Sequence, residues 1–361
     1  MPKFKTAFIT FFPVIPDNMG SSAVINSRFR SWPNKKRIFQ ISHIKKINNK
    51  DIKTIFIKKE SPISKIIKLP ELIIKTFNFL KSSKNNIIII EGASWIFYSF
   101  ITLIAFKFLL PKSRIIYISH SIESEIREKY SNLFIFYLTK FLEKLVFKYS
   151  FISTSVSKIE KNKIAKLYKT KTILFPNAIT LNHKIEKKEL RDDYIIYSGS
   201  YLYRPNKNAV DYLNVKIMPK VLKTFPNLKL VLTGGGFKKN LPWIINKGTV
   251  SKKKLHNLIY FSKCMCVPLK FGSGTRIKII EAMSLGAIVI STTKGIEGID
   301  LKDISPPFIA NKESSIIKLI IKVIKNNKNI KIKANKEKLY YLKKYSMKSI
   351  TENFIKENIK F

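Results

Sequence analysis

Short runs of β-branched and aromatic residues alternate with longer mixed stretches along the whole chain. In the first half these runs are Lys5–Phe12, Arg37–Ile41, Thr54–Ile57, Ile87–Ile90, Ile115–Ser119, Phe151–Ser155 and Thr172–Phe175. In the second half they are Tyr194–Ser198, Leu228–Thr233, Cys264–Pro268, Ala287–Ser291 and Pro307–Ala310. Near-continuous apolar strands of this kind suit a parallel sheet covered on both faces, with helices in the crossovers. Between the halves, Leu181–Asp193 is charged and lacks apolar periodicity, which marks a linker. A chain of 361 residues also exceeds what one core usually organises. The expectation is an α/β protein of two doubly wound, Rossmann-like domains, residues 1–185 and 186–335, with ligands bound at the carboxyl ends of the strands in the cleft that the domains face. The tail, 336–361, reads as a polar helix with aromatics at Tyr340, Tyr341, Tyr345 and Phe354, and Lys325–Lys333 reads as a solvated helix end and loop.

One apolar stretch admits two readings. Ile87–Leu110 is interrupted only by Glu91, a few small polar residues and Lys107, and as one piece it approaches a membrane span. Glu91-Gly92-Ala93-Ser94 divides it into a buried strand and a helix over Trp95–Leu110, which is the more economical account. Phe8–Val14 is short and runs into a polar loop, so no cleavable signal is expected.

Candidate chemistry concentrates in one place. Phe271-Gly272-Ser273-Gly274-Thr275-Arg276 follows a strand-like run, and a helix with Arg276 in its first turn is expected to continue through Glu281-Ala282-Met283 to Gly286. Unpaired N–H groups at a helix N-terminus favour a phosphate, and an arginine adds a two-pronged donor. Further along, Glu281 offers an acceptor suited to a pair of hydroxyls. Pyrophosphate plus ribose is what such an arrangement would hold.

This run resembles the donor-site signature of the GT-B glycosyltransferases, in particular the retaining family four and its members with a Ser-Gly-Thr-Arg turn. The resemblance extends to Tyr197-Ser198-Gly199-Ser200 and Arg204-Pro205-Asn206-Lys207, to Leu228–Gly236, and to Gly295-Ile296-Glu297-Gly298. It implies an acceptor-binding N-terminal domain, a C-terminal domain that binds a sugar nucleotide, and a last helix that returns to the first domain. By the same resemblance, His120 contacts the transferred sugar, and Gly20 lies in the loop that approaches the donor phosphates. Gly199, Gly234, Gly235, Gly272, Ser273, Gly274, Thr275 and Arg276 line the phosphate side, Val250 meets the base through its backbone, and Glu281 takes the ribose. His120, Arg276 and Glu281 are the implied catalytic set. Two departures stand out. Many members carry a glutamate where this chain has Ser273, and many carry an Arg/Lys pair where it has Gly199-Ser200, so Arg204 or Lys207 is the expected substitute.

Charge changes the picture of the surroundings. The chain has 68 Lys and Arg against 23 Asp and Glu, a net charge of +45, and only eight of the basic residues are arginine. Compositional bias of an AT-rich genome accounts for such lysine, and attraction to an anionic membrane surface is the functional alternative. Nucleic acid is not an expected partner, because no basic stripe with interleaved aromatics and no binding motif is present. Cys264 and Cys266 read as buried reduced thiols. His43, His120, His183 and His256 lack metal-ligand spacing, and the acidic pair Asp192-Asp193 falls in the linker, so neither a metal nor a cofactor is implied. The expected protein is a retaining, metal-independent glycosyltransferase. It would move sugar from a nucleoside diphosphate sugar to a glycan or lipid-linked acceptor of bacterial surface polysaccharide or lipopolysaccharide, in the cytoplasm and peripherally on the inner face of the cell membrane. The rivals are an inverting transferase or epimerase on the same fold, and a noncatalytic membrane-docked partner of a polysaccharide assembly complex.

Overall fold

The computed structural model describes residues 4–15, 20–33, 35–44, 49–83, 85–181, 185–186, 190–272, 274–301 and 308–359. Ser273, the loop Pro16–Met19 before Gly20, and parts of the linker Leu181–Asp193 and of the run Pro307–Ala310 lie outside the described residues. The chain divides into two compact units: Met1–Asp17, Ser21–Asn177 and Met347–Phe361 form one, and Asn18–Gly20 with Ala178–Ser346 form the other.

The first unit is built on β1 (Lys5–Thr10), α1 (Gly20–Ser31), β2 (Lys35–Ser42), β3 (Ile52–Phe56), α2 (Pro62–Leu80), β4 (Asn86–Gly92), α3 (Ile96–Leu109) and β5 (Arg114–Ser119). It continues through α4 (Glu123–Tyr130), α5 (Leu133–Tyr149), β6 (Ile152–Ser155), α6 (Lys158–Tyr168) and β7 (Ile173–Leu174). All seven strands are parallel, in the order β3-β2-β1-β4-β5-β6-β7, with Lys5 opposite both Lys35 and Asn86. Alternation along β4 supplies both faces: Ile88 and Ile90 enter one core with Leu72, Leu103 and Val146 of the covering helices, while Ile87 and Ile89 enter the other with Ile25, Phe29 and Trp32 of the α1 region. That is why the strand reads as an unbroken apolar run.

Trp95–Leu110 is a helix within this layer, not a span. Helix α3 has fourteen residues and buries Ile96, Tyr98, Leu103 and Phe106. At ~1.5 Å per residue it falls short of the ~30 Å hydrocarbon core, and no described helix is long and apolar enough to cross a membrane. The N-termini of α3 and α4 have no side-chain cap of their own. Carboxylates from elsewhere take that role: Glu123 accepts from the Ile96 N–H at 2.6 Å, and Glu143 accepts from the N–H groups of Glu123 and Ser124. These bonds fix the segment that follows β5.

The second unit comprises β8 (Tyr194–Ser198), α7 (Arg204–Tyr212), a π-helical stretch over Leu213–Ile217, α8 (Met218–Leu222), β9 (Lys229–Thr233), β10 (Ile244–Gly248) and α9 (Lys252–Phe261). After these come β11 (Cys264–Val267), α10 (Ile277–Ser284), β12 (Val289–Ser291), β13 (Phe308–Ile309), α11 (Glu313–Lys325) and α12 (Asn327–Lys344). Its sheet is again parallel, in the order β10-β9-β8-β11-β12-β13. The two halves are doubly wound Rossmann-like units, as the hydrophobic pattern predicts. Strand β10 was not among the predicted runs. It is an edge strand that carries Asn246 and Lys247 and is only partly buried, so it lacks the apolar run that marks its neighbours. The stretch Lys325–Lys333 is not a loop either: α12 begins at Asn327, and Ile330, Ala334 and Tyr341 form its buried stripe beneath the lysines.

The last helix, α13 (Met347–Asn358), belongs to the first unit. Phe354 stacks on Phe175 with centroids 4.4 Å apart and planes 6° apart, and it lies 6.4 Å from Trp32. Helix α13 thus completes the apolar cover on the α1 side of the sheet.

Candidate functional site

Both sheets reverse direction once, between β1 and β4 in the first unit and between β8 and β11 in the second. Such switch points leave a crevice at the strand carboxyl ends, where connections depart to opposite faces. His120 in the first unit, and Gly199, Gly234, Gly235 and Gly272 in the second, fall just past such strand ends, whereas Glu281, Arg204 and Lys207 lie on helices.

In the first unit, His120 follows the last residue of β5 and is nearly buried. Its Nε2 lies 2.7 Å from Glu91 Oε2, near the end of β4. Glu91 also receives Arg28 Nη1 at 2.7 Å, and Arg28 reaches in from α1 with its guanidinium 4.8 Å from the Phe175 ring centre. Arg28 and Glu91 are both fully buried. Burial alone would raise the Glu91 carboxyl, but Arg28 and His120 outweigh it and hold the group below its ordinary value. Glu91 engages Nε2 of the imidazole, which leaves Nδ1 outside that contact. Sequence reasoning took Glu91 only as a break in an apolar run and did not place Arg28 at all. The signal was a lone carboxylate inside a buried strand, which demands a partner.

In the second unit, three loops meet. Gly199 follows β8, Gly234 and Gly235 follow β9, and Gly272, Gly274 and Thr275 lie between β11 and α10. Gly234 has φ +105°, and a Cβ there would come within 2.5 Å of the Gly199 backbone. Only glycine permits that approach. Gly272 has φ +120°, and a Cβ on it would lie 3.1 Å from Arg276 and 3.4 Å from Pro205 at the start of α7. Arg276 is buried at the N-cap of α10, one position outside the first turn expected from the sequence, and its Nη1 donates to the Gly274 carbonyl. Val250 is half-buried against this unit's core. Gly20, the first residue of α1, is exposed.

Glu281 is not a surface carboxylate: it is only 5% exposed. Its Oε1 accepts from Lys252 Nζ and from His256 Nε2, each at 2.9 Å and both from α9. Burial opposes ionisation, yet His256 and Lys252 keep the carboxyl below its ordinary value. The two residues offered as substitutes for the missing Arg/Lys pair do not join this group in the same way. Lys207 is exposed and pairs with Asp211 at 3.2 Å, and Arg204 is exposed on the first turn of α7. A different lysine, Lys278 of α10, lies against Tyr197 and Asn206 beside Gly199.

Residues 192–326 match the family Glycosyl transferases group 1. The match takes in the three glycine loops, Arg276 and Glu281. A curated Klebsiella pneumoniae protein, described as an uncharacterized 44.6 kDa protein in the cps region, is 30% identical over 239 residues. The aligned part is 60% of this chain, and the chain spans 61% of that relative's length. Among solved structures, Anabaena HepE in complex with UDP and glucose has a TM-score of 0.70 at 10% identity, over 98% of each chain. OtsA in its apo form has a TM-score of 0.72 at 11% identity, over 99% of each chain. The fold is that of the two-domain GT-B glycosyltransferases.

The Arg28–Glu91–His120 set gives a direct expectation. Glu91→Gln leaves the buried guanidinium without its counter-charge, so it should destabilise the protein by about 3–5 kcal/mol at neutral pH. The folded carboxyl is depressed, so its stabilisation is present above the unfolded value of about 4.3 and is lost as pH falls through the folded value. Urea unfolding of both proteins should therefore show a gap at pH 7 that narrows below about pH 4. A constant gap would place the loss elsewhere.

Proposed function

We propose that the protein is a glycosyltransferase that moves a sugar from a nucleoside diphosphate sugar to a glycan or lipid-linked acceptor in surface polysaccharide synthesis, with retention and without a catalytic metal. The observation that carries this reading is the meeting of three glycine loops with a buried arginine at the strand ends of the second unit. Loss of a nucleoside diphosphate builds negative charge on the leaving phosphate. Fixed donors aimed at that charge lower the barrier because they need not reorganise during reaction. Arg276, the backbone at Gly274 and Thr275 and the start of α10 provide such donors. The match over residues 192–326 supports the transferase class, the cps-region relative supports polysaccharide synthesis, and a structural neighbour described with UDP and glucose supports the donor class.

Roles follow from the contacts. Lys252 and His256 occupy Oε1 of Glu281, which leaves Oε2 as the acceptor for a ribose hydroxyl. His120, oriented by Glu91, presents Nδ1 to the sugar. Serine at 273, where many family members have glutamate, removes one carboxylate from the sugar side of this reading.

A membrane-facing role belongs to a different element from the one the sequence suggested. The segment Trp95–Leu110 buries one side and exposes large apolar residues only at its end, Phe108 and Leu109, whereas α5 exposes Leu133, Phe134, Tyr137 and Phe141, each at 59–73%, along one side. Lys144 and Lys148 continue the exposed stripe toward the end of the helix. Apolar residues that enter the headgroup layer and lysines that pair with anionic lipid are the two components of interfacial binding. This face would hold the enzyme on the cytoplasmic side of the membrane, near a lipid-linked acceptor.

Incubation with a panel of nucleotide sugars should give slow donor hydrolysis that persists in excess EDTA. Activity that vanishes and returns only with magnesium or manganese would reject the metal-free mechanism. Glu281→Ala should weaken nucleoside diphosphate binding by roughly tenfold to a hundredfold, and should cost a 2′,3′-dideoxy nucleotide much less. Equal losses in calorimetry would remove Glu281 from the ribose. The protein should sediment with anionic liposomes and be released by salt, and Phe134→Glu with Phe141→Glu should abolish sedimentation while the fold melts unchanged. Undiminished binding by that variant would move the docking face off α5.

A further inference from the structure

Lys278 is a half-buried lysine whose surroundings differ from those of the surface lysines. It stands in the first turn of α10, two residues past Arg276. Its Nζ lies 2.9 Å from Asn206 Oδ1 and 3.2 Å from Tyr197 Oη, and 4.3 Å from the centre of the Tyr197 ring. The Asn206 amide is oriented by its own bonds: Nδ2 donates to the Ser200 carbonyl at 2.9 Å, and Oδ1 also accepts from Tyr197 Oη at 2.8 Å. Both acceptors of the ammonium are therefore neutral. Glu281, one turn along the helix, is engaged by Lys252 and His256. Lys278 thus forms no ion pair among the described residues, and its nearest charged neighbour on the loop is another cation, Arg276.

A half-buried ammonium that meets only neutral acceptors, close to a buried guanidinium, favours an anion beside it. The backbone supplies the space for the lysine. A Cβ on Gly199 would lie 2.6 Å from Lys278 Nζ and 2.7 Å from Asn206 Nδ2, so the missing side chain at the end of β8 is what admits the lysine. An ammonium has three N–H groups, and the protein engages two.

We infer that Lys278 binds the donor diphosphate, delivered from α10 into the place left open by Gly199 and acting beside Arg276. This assignment rests on the nucleotide-sugar reading above. It replaces Arg204 and Lys207, which are exposed on α7, the latter paired with Asp211. It also gives the binding step a proton signature. Burial, and after it the Arg276 guanidinium, push the Lys278 ammonium down to about 7, whereas a bound diphosphate favours the charged form. The other groups facing it do not titrate nearby: burial raises the Tyr197 phenol and the Cys266 thiol of β11.

Calorimetry with UDP and with GDP, each in two buffers of different ionisation enthalpy, tests this at pH 8 and pH 6. The wild-type protein should take up about one proton per nucleotide at pH 8 and little at pH 6. Lys278→Met should bind roughly tenfold to a hundredfold more weakly with no uptake at pH 8. Lys278→Arg, whose guanidinium stays charged, should retain affinity within a few-fold and also show no uptake. Should the methionine variant fail to fold, the arginine variant decides: wild-type proton uptake in either variant overturns the assignment. Binding of neither nucleotide by the wild-type protein would instead overturn the nucleotide-sugar reading, and this inference with it.

Discussion

A parallel sheet covered by helices on both faces has one place for charge, the ends of its strands. Backbone groups within the sheet pair with one another and both surfaces are largely apolar, so a charged side chain midway along a strand would be buried without water to solvate it. Both units obey this constraint. Ile87–Ile90 and Ile195–Tyr197 are fully or nearly fully buried, and chemistry begins where the strands stop, at Glu91, His120, Gly199 and Gly234. The single reversal of strand order in each sheet then sends adjacent connections to opposite faces and opens the crevice in which those ends are accessible.

The buried charges follow a second rule, that each must meet its opposite. Glu91 lies between Arg28 and His120, and Glu281 is clasped by Lys252 and His256. In both sets the partners come from different elements, so the ion pair also fixes where a helix sits on its sheet. Removing one member costs more than forming the pair contributes, because the remaining charge is left in a medium that cannot solvate it. Half-buried Lys278 meets only the neutral Tyr197 and Asn206, and a diphosphate is the chemistry that would answer its charge.

The surplus of lysine acts on a different scale. A net charge of +45 creates a field around the whole protein, which affects solubility and encounter with anionic surfaces rather than the fold. Lysines along α12 surround a normal apolar stripe, and those on α5 border exposed aromatics. The same residue type therefore masks a core-facing helix in one unit and completes an amphipathic face in the other.

The sequence by itself determined the strands that are apolar on both faces, the doubly wound class, and the glycine-rich turn with its arginine, because each rests on residues adjacent in the chain. It read the start of α12 as a loop, since the buried positions there, Ile330 and Ala334, are scattered among lysines, and it did not find β10, whose half-buried edge position requires little hydrophobicity. Tertiary structure alone decided the partners of charge. Arg28 and Glu91 are separated by 63 residues, Lys252 and Glu281 by 29, and Lys278 and Asn206 by 72. Local propensity carries no information about such distances. Burial selects the pairings after the sheet is assembled, because only then does each charge lose its water and need a particular neighbour.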